Sequence, residues 1–179
     1  DISRVPLRSA DQEITLGRQV QQLVGLEAVR EELTLRAGGI APNEQQLAVA
    51  ANLELVELQC RIRQGQQAKE RMVSANLRLV VSIAKNYTNS SFELADLIQE
   101  GTIGLVRGVE KFDPSRGYKF STYAYWWIRE GITQAIKNKS RTIRLPAPIN
   151  AALSKLKRCQ RELTQIHGRP PRLHELASA

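Results

Sequence analysis

Aromatic and cationic side chains are concentrated in one short segment of the sequence. Six of the nine aromatic residues lie between Tyr118 and Trp127, and Lys119, Arg129 and Lys137 accompany them. Aromatic rings stack on nucleobases while Lys and Arg neutralise phosphates, so the mixture is typical of single-stranded nucleic-acid binding. Trp, Tyr and Arg also dominate protein–protein hot spots, and a helical protein interface is therefore the alternative.

A helix over residues 123–141 would separate these side chains onto two faces. At about 100° per residue, one face is an apolar stripe that we expect to be buried against the preceding helices. The stripe consists of Tyr125, Ile128, Ile132, Ala135 and Ile136. The other face is polar but carries both tryptophans, and its members are Tyr123, Trp126, Trp127, Glu130, Gln134, Lys137, Asn138 and Arg141, with Thr133 beside them. Large rings on a polar face are costly to leave in water and usually contact a partner.

Net charge is distributed unevenly along the chain. Residues 1–60 hold 5 Lys/Arg and 9 Asp/Glu, residues 61–115 hold 8 and 6, and residues 116–179 hold 13 and 3. The last third is therefore a polycation, for which we expect a polyanionic partner. Charge favours nucleic acid as that partner, although a solvated face or an anionic membrane surface gives a similar count.

The spacing of apolar residues predicts helix nearly throughout the chain, without a convincing strand, and hence an all-α fold. A first helix would begin at a capping box of Ser9 and Gln12 and end at Gly38 and Gly39. Asn43 would cap a second helix that reaches about residue 63, and a third is expected over residues 66–87. We predict ordinary packing roles for these three helices.

A fourth helix, predicted over residues 94–112, carries Gly101, Gly104 and Gly108 on its apolar face. A phosphate-binding loop needs a Gly-Lys-Ser/Thr ending and a preceding strand, and both are missing, so we interpret these glycines as sites of close helix packing. The opposite face mixes charged groups with an isoleucine, which suits either a docking surface or a solvated face. Its members are Asp96, Gln99, Glu100, Ile103 and Arg107.

Composition excludes several other classes of protein. No apolar run approaches the ~18 residues of a membrane-spanning helix, and no signal-like segment opens the chain. Cys60 and Cys159 lack the spacing of a zinc site or a disulfide framework, so we expect neither metal nor cofactor and a reducing, cytoplasmic compartment. His167 and His174 have no paired nucleophile, and no catalytic set is recognised, so we expect no enzyme activity.

Four blocks of sequence together resemble a known family. They are residues 76–81 (NLRLVV), 96–101 (DLIQEG), 117–129 (GYKFSTYAYWWIR) and 141–146 (RTIRLP). They are similar to the primary-type, sigma-70-like sigma factors, the promoter-specificity subunits of bacterial RNA polymerase. The resemblance implies an N-terminal helical segment with a helical insert over residues 1–67 and a domain that binds core polymerase and the minus-ten element over 68–146. A basic linker and the incomplete start of a second helical domain would follow over 147–179.

The resemblance also implies which residues capture the minus-ten element of the non-template strand and open the duplex. Tyr123 would stack on the flipped, first-melted adenine, in surroundings formed by Phe112, Arg116, Lys119, Phe120 and Thr122. Trp126 and Trp127 would form a wedge at the upstream edge of the bubble. A second extruded base, the thymine that closes the element, would contact Asn76, Leu79 and Ser121. Phosphates would be held by Arg129, Lys137, Arg141 and Arg144.

The family's docking site for the clamp of the largest polymerase subunit matches residues 96–106, where the implied contacts are Asp96, Gln99, Glu100 and Thr102. The partners implied are therefore core RNA polymerase and promoter DNA, as single strand and duplex edge. Anti-sigma proteins also bind members of this family. No cofactor, metal or membrane belongs to this interpretation.

Three departures from the family pattern favour an alternative, group 2 member over the housekeeping one. Glu130 stands one helical turn before Thr133 where Gln is usual, and a carboxylate cannot donate to adenine, which alters readout of the most upstream base pair. Gln134 replaces a common Arg. Pro148 and Ala151 replace a His and a Glu that read an extended element. Tyr125 before the Trp pair is a hint of cyanobacterial forms.

The C-terminal tail is predicted to be a basic amphipathic helix from about residue 150, which would run along DNA backbone or polymerase. A break is expected at residues 168–171, and residues 173–176 would start another helix. The sequence begins with Asp1, and we expect it to be a piece of a longer protein whose minus-thirty-five-binding domain lies outside these residues.

Overall fold

A computed structural model describes residues 10–88, 92–139, 141 and 143–178. Within these residues the regular structure is helical throughout, which confirms the all-α prediction. The α-helices are α1 (Ala10–Arg36), α2 (Glu44–Ala50), α3 (Leu55–Ala84), α4 (Leu94–Lys111), α5 (Phe120–Lys139), α6 (Ala147–His167) and α7 (Leu173–Ala177). Short 3-10 turns follow α3 at Lys85–Tyr87 and α4 at Pro114–Arg116.

The chain forms two compact units, Asp1–Thr133 and Gln134–Ala179, and the boundary between them falls inside α5. The first unit contains the buried core, in which Val80, Leu105, Ile128 and Ile132 are fully buried. The functional divisions predicted at residues 67 and 146 stay predictions. In the second unit, α6 and α7 contain no buried residue.

Glycines let α4 and the first part of α5 pack with almost no side chain between them. A Cβ atom built on Gly104 would collide with the backbone carbonyl oxygen of Trp127, and one on Gly131 would lie 2.8 Å from the carbonyl oxygen of Glu100. A Cβ on Gly101 would lie 2.8 Å from Cγ1 of Val80. The interpretation of the α4 glycines as packing sites is therefore confirmed.

The predicted second and third helices have different bounds in the structure. The capping box at Asn43 is present: its Oδ1 accepts from the Gln46 backbone N–H at 2.8 Å, and Gln46 Oε1 accepts from the Asn43 N–H at 3.0 Å. However, α2 ends at Ala50, and Asn52 adopts a left-handed φ of 54°, a conformation that Asn tolerates better than most residues. The single helix predicted over residues 43–63 was therefore wrong.

The break predicted between residues 63 and 66 was also wrong, because α3 runs continuously from Leu55 to Ala84. Gly65 does not end a helix. A Cβ at this position would lie 2.5 Å from Cβ of Leu23, so the glycine allows α3 to pack closely on α1. The capping box predicted at Ser9 lies outside the described residues, whereas the predicted end of the first helix before Gly38 and Gly39 is confirmed.

Among the described residues, no helix is both long and apolar enough to cross a membrane. In the same part of the chain, His, Cys, Asp and Glu side chains do not form a group of three or more that could hold a metal ion.

Candidate nucleic-acid interface

The connection between α4 and α5 is a tight turn held by one carboxylate. Asp113 Oδ1 accepts hydrogen bonds from the backbone N–H of Ser115 at 2.9 Å and from its hydroxyl at 2.6 Å, while Oδ2 accepts from Arg116 Nε at 3.2 Å. The Ser115 hydrogen bonds and the nearby Arg116 lower the pKa of Asp113. Gly117 then adopts φ of 73°, which favours glycine, and redirects the chain into α5.

An aromatic cluster is built on this turn. The rings of Phe112 and Phe120 meet edge to face with centroids 5.1 Å apart, and Tyr123 lies 6.0 Å from Phe112 and 6.2 Å from Trp127. The Tyr123 hydroxyl donates to the carbonyl oxygen of Lys111 at 3.2 Å. Tyr123 is half-buried, so one part of its ring is supported and another part is accessible.

A cavity of about 310 Å³ opens beside the Tyr123 ring. Its lining combines aromatic surface with cations and one carboxylate, and consists of Lys111, Phe112, Asp113, Arg116, Tyr118, Thr122, Tyr123 and Trp126. Flat aromatic walls suit a planar ring, and the cations Lys111 and Arg116 suit an attached phosphate. The lining of this cavity therefore suits a nucleotide.

The two adjacent tryptophans have different environments. The Trp126 side chain is 61% exposed, and the Arg129 guanidinium lies 5.6 Å from its ring centroid. Trp127 is half-buried because its indole lies against Gly108, where a Cβ would be 3.2 Å from Cβ of Trp127. The Lys111 ammonium lies 5.2 Å from the Trp127 ring centroid. The Trp126 ring is thus largely accessible, whereas the Trp127 ring is in contact with Gly108, Lys111 and Tyr123.

Phe112 and Phe120, expected around the flipped base, are 4% and 0% exposed and pack on each other. Phe112 also lines the cavity beside Tyr123, and the role expected for both rings stays a prediction. One expectation for the aromatic residues needs correction. Tyr125, expected in the buried stripe, is 40% exposed, with its ring edge to face against Trp126 at 5.8 Å. The burial predicted for Ile128, Ile132 and Ala135 is confirmed, while Ile136 is half-buried.

The other residues expected near the minus-ten element lie on α3 and on the first turns of α5. Asn76 and Leu79 are half-buried on α3, and Asn76 Nδ2 donates to the Met72 carbonyl at 2.8 Å. At the start of α5, the exposed residues are Lys119, Ser121 and Thr122.

Further along α5, Glu130 is exposed and Thr133 half-buried. The Thr133 hydroxyl donates to the carbonyls of Arg129 at 2.9 Å and Glu130 at 3.1 Å, so it is already engaged within its helix. Of the two residues, Glu130 is the one whose side chain is exposed to solvent.

The second unit carries the remaining cations expected on phosphates. Lys137, Arg141 and Arg144 are all exposed. Asn150 Nδ2 donates to the carbonyl oxygens of Lys137 at 3.2 Å and Leu145 at 3.3 Å, and so links the last turns of α5 to the first turn of α6.

The residues expected to dock polymerase share the outer face of α4, apart from one. Asp96 and Gln99 are exposed and Glu100 is half-buried, and Ile103, about one turn further along the same face, is 51% exposed. Thr102 points to the side, where its hydroxyl donates to the Ile98 carbonyl at 2.7 Å.

Sequence reasoning missed three residues that line the cavity, namely Lys111, Asp113 and Tyr118. Tyr118 belongs to the aromatic segment, so the density of rings was a usable signal. Lys111 contributes only because the end of α4 approaches Trp127, and Asp113 because the turn folds back on itself. Neither contact is visible as a spacing in the sequence.

The chain is similar to known proteins over nearly its whole length. Residues 72–142 match the family model for Sigma-70 region 2. The chain is 56% identical over 177 residues to the RNA polymerase sigma factor SigA2 of Synechococcus elongatus, covering 99% of this chain and 55% of that protein. It is 52% identical over 178 residues to the RNA polymerase sigma-B factor of Nostoc sp., covering 99% of this chain and 53% of that protein.

A plant relative is similar at a lower level: the RNA polymerase sigma factor sigB of Arabidopsis thaliana is 42% identical over 173 residues, covering 97% of this chain and 30% of that protein. The chain belongs to the sigma-70 family of sigma factors, as its four sequence blocks indicated. It spans about half the length of its two cyanobacterial relatives.

Proposed function

We propose that this chain is the promoter-opening part of a sigma factor. It directs core RNA polymerase to promoters, recognises the minus-ten element and holds flipped bases of the non-template strand. The observation that carries the proposal is the accessible, supported ring of Tyr123 beside a cavity of about 310 Å³ with cationic walls. Family membership points to the same role.

The physical basis is capture of a base that has left the duplex. Unstacking a base costs a few kcal/mol, and stacking on an aromatic side chain returns roughly 1–3 kcal/mol. Tyr123 needs little reorganisation, since its hydroxyl is bonded to the Lys111 carbonyl and its ring rests on Phe112. A pre-positioned ring loses less entropy on binding, so more of the stacking energy stabilises the open strand.

The neighbouring residues have distinct proposed roles. Trp126 and Trp127 would form the wedge at the upstream edge of the bubble; the Trp126 ring is exposed, and the Trp127 ring is half-buried against Tyr123. Asn76, Leu79 and Ser121 would contact the second extruded base. Phosphates would be held by Arg116, Lys119, Arg129, Lys137, Arg141 and Arg144, all of which are exposed.

Glu130 is proposed to change readout of the most upstream base pair. A carboxylate accepts a hydrogen bond from the cytosine amino group but cannot pair with adenine in the bidentate way of Gln. The exposed position of Glu130 supports this role, and the departure favours an alternative member of the family.

The outer face of α4 is proposed to dock the clamp of the largest polymerase subunit, through Asp96, Gln99, Glu100 and Thr102. Exposed Ile103 amid polar groups supports an interface at this face. The protein would act without catalysis of its own, without cofactor or metal, in the cytoplasm. An anti-sigma protein that covers the same surfaces would be its regulator.

The decisive experiment uses the chain assembled with core polymerase and a single-stranded minus-ten oligonucleotide. Tyr123→Ala should weaken binding about 10- to 100-fold, because the stacking platform is removed. Tyr123→Phe is the matched control: it keeps the ring and removes only the hydroxyl that bonds the Lys111 carbonyl, so most of the affinity should remain.

Equal binding by the Tyr123→Ala and wild-type chains would contradict strand capture. A second arm follows promoter opening by thymine reactivity to permanganate in chains with Trp126→Ala and Trp127→Ala. If opening stayed intact while a protein complex was abolished, the aromatic face would be a protein-interaction module.

A further inference from the structure

Trp126 is the more exposed of the two tryptophans, yet its ring has a defined arrangement. The Tyr125 ring meets it edge to face, with centroids 5.8 Å apart and an interplanar angle of 87°. The Arg129 guanidinium lies 5.6 Å from its ring centroid. Among the residues that the structure describes, these are the aromatic and cationic partners of the Trp126 ring, and both belong to α5 itself. The orientation of this ring is therefore set within one helix.

Trp127 differs because another helix holds its ring. Its indole lies against Gly108 and near the Lys111 ammonium, and both of these residues belong to α4. Removing one neighbour of Trp127 would leave the rest of that packing in place. Trp126 is 61% exposed and depends on fewer neighbours, so the loss of a single one should change its orientation more.

Tyr125 and Arg129 reach Trp126 because of helix geometry. Side chains three and four residues apart are neighbours on a helix surface, so Arg129 lies one turn beyond both Tyr125 and Trp126. An edge-to-face aromatic pair and a cation near a ring each favour one arrangement of that ring. Without these contacts an exposed indole exchanges among staggered rotamers. The two neighbours therefore restrict Trp126 before any partner binds.

The surroundings of Tyr125 leave the contact with Trp126 as its main interaction. Its side chain is 40% exposed, so it does not belong to the buried core. Its hydroxyl has no hydrogen-bond partner among the described residues. What remains is the edge-to-face contact, which a phenylalanine at this position would also make and an alanine would not.

We propose that Tyr125 is a positioning residue for duplex opening: its ring, together with Arg129, holds Trp126 in place for the upstream edge of the bubble. This inference rests on the proposed function, which places Trp126 in the wedge. A ring that is already ordered loses less entropy when it contacts DNA, so more of its contact energy stabilises the opened state. The benefit arises only where base pairs must still be separated, and a promoter whose minus-ten region is already unpaired does not need it.

The first test follows the motion of Trp126 in the chain without DNA. The sequence contains two tryptophans, so Trp127→Phe leaves Trp126 as the sole indole and serves as the parent chain. The decay of fluorescence anisotropy then separates motion of the ring from tumbling of the chain. Adding Tyr125→Ala should raise the amplitude of the fast component about twofold, since the indole regains rotamers that exchange within nanoseconds.

Two controls accompany this measurement. Tyr125→Phe keeps the edge-to-face ring and should leave the decay as in the parent chain. Tyr118→Ala removes a ring of the same segment that is 73% exposed and that, within the described residues, has no ring contact with Trp126, so it should also leave the decay unchanged. An unchanged decay in the Tyr125→Ala chain, or an equal change in the Tyr118→Ala chain, would overturn the proposal.

The second test measures promoter opening with the chain assembled on core polymerase, and it keeps both tryptophans. Tyr125→Ala should slow the appearance of permanganate-reactive thymines in a duplex promoter about three- to tenfold, the effect of losing one aromatic pair. The dissociation constant for a promoter with an unpaired minus-ten region should stay within about twofold of the wild type, since no wedge is needed there. Tyr125→Phe should open the duplex at the wild-type rate.

The comparison of the two promoters separates positioning from loss of structure. Equal losses on both promoters would mean that Tyr125 maintains the fold, and unchanged or faster opening of the duplex would mean that its ring does not help Trp126. Each of these results would overturn the proposal. If Trp126→Ala opened the duplex at the wild-type rate, the wedge role in the proposed function would fail, whereas the anisotropy result would still decide whether Tyr125 positions Trp126.

Discussion

The α4–α5 aromatic cluster and helix α6 both carry cations on exposed surface, but only the cluster is supported by a core. Tyr123 contacts Phe112, which is buried and packs on buried Phe120, whereas none of the residues of α6 is buried. The cluster therefore has a defined shape before any partner arrives. Helix α6 offers charge, and its Leu156 and Ile166 are 47% and 75% exposed. Under the proposed function, the cluster would select the shape of a base, while α6 would make an electrostatic contact that does not depend on shape.

The largest expected effect comes from breaking the support of the cluster. Gly104→Ala places a methyl group against the Trp127 carbonyl, which belongs to a helix backbone and cannot turn away. We expect the free energy of unfolding to fall by about 2 kcal/mol, the upper end of the usual overpacking cost less about 1 kcal/mol gained in helix propensity. Urea unfolding followed by circular dichroism measures it.

The matched control for this variant is Gly25→Ala. Gly25 is an exposed glycine inside α1 with nothing within 4 Å of a built Cβ, so the same change should stabilise the chain by roughly 0.5–1 kcal/mol. If both substitutions shifted the unfolding midpoint in the same direction, the close α4–α5 packing would not be a source of stability.

A smaller effect is expected from removing the charge of α6. A chain in which Lys155, Lys157, Arg158 and Arg161 are replaced by Gln should bind promoter DNA about tenfold more weakly at physiological salt, in complex with core polymerase. The plot of log K against log salt should become less steep by about 0.9 for each phosphate that is no longer neutralised. The reduction in affinity should be the same for promoters that differ at the flipped adenine, because phosphates carry no sequence.

This uniform reduction contrasts with that expected for Tyr123→Ala, which should depend on the base. An unchanged salt slope in the neutralised chain would mean that α6 contacts polymerase or another partner instead of DNA phosphates. Reductions in affinity that depend on the base would mean that α6, like the aromatic cluster, contributes to sequence recognition.

The smallest expected effect is a local dependence on pH in the second unit. The Arg169 guanidinium bonds both oxygens of the Glu175 carboxylate at 2.6 and 3.0 Å, the Arg172 backbone N–H bonds one of them at 2.7 Å, and these contacts lower the pKa of Glu175 to about 2. This pKa is below that of an unfolded Glu, about 4.3, so the ionised carboxylate stabilises α7 fully when the pH is above about 4.3. This stabilisation is lost as the pH falls towards 2 and the carboxylate of Glu175 becomes protonated.

Amide chemical shifts of α7 followed from pH 6 to pH 2 would detect this change. The Glu175→Gln chain should show no such transition, while a transition that persisted in this variant would belong to another group.

Helix positions and buried faces were predicted correctly where contacts within a single helix, or its own periodicity, determine them. Ile128 and Ile132 are buried as the period of α5 indicated, and Asn43 caps α2 through its own neighbours. Prediction failed where another element decides. Separate helices were predicted to end near residue 63 and to begin at residue 66, whereas Gly65 lies inside α3 and packs against Leu23 of a different helix. Tyr125 is exposed at the edge of a stripe whose width depends on the neighbouring helices.

The candidate site shows the same division between local and tertiary information. The density of rings and cations around Tyr123 was visible in the sequence. The contacts of Gln21 with the end of α4 cross about ninety residues and could not be read from any spacing, since they join separate helices through backbone carbonyls. Residue types alone locate such a site, but its geometry requires the fold.

The bare crossing of α4 and α5 has a mechanical consequence. Gly104 and Gly131 bring the two backbones together, and a Cβ on Gly131 would lie 3.2 Å from Cα of Gly104. Where side chains separate two helices, changes of rotamer can accommodate small shifts of one helix against the other. At Gly104 and Gly131 the backbones are in direct contact, so side-chain rotamers cannot accommodate such a shift. We therefore expect α4 and the first part of α5 to move as one rigid body, so that a displacement of the outer surface of α4 also displaces the ring-bearing surface of α5.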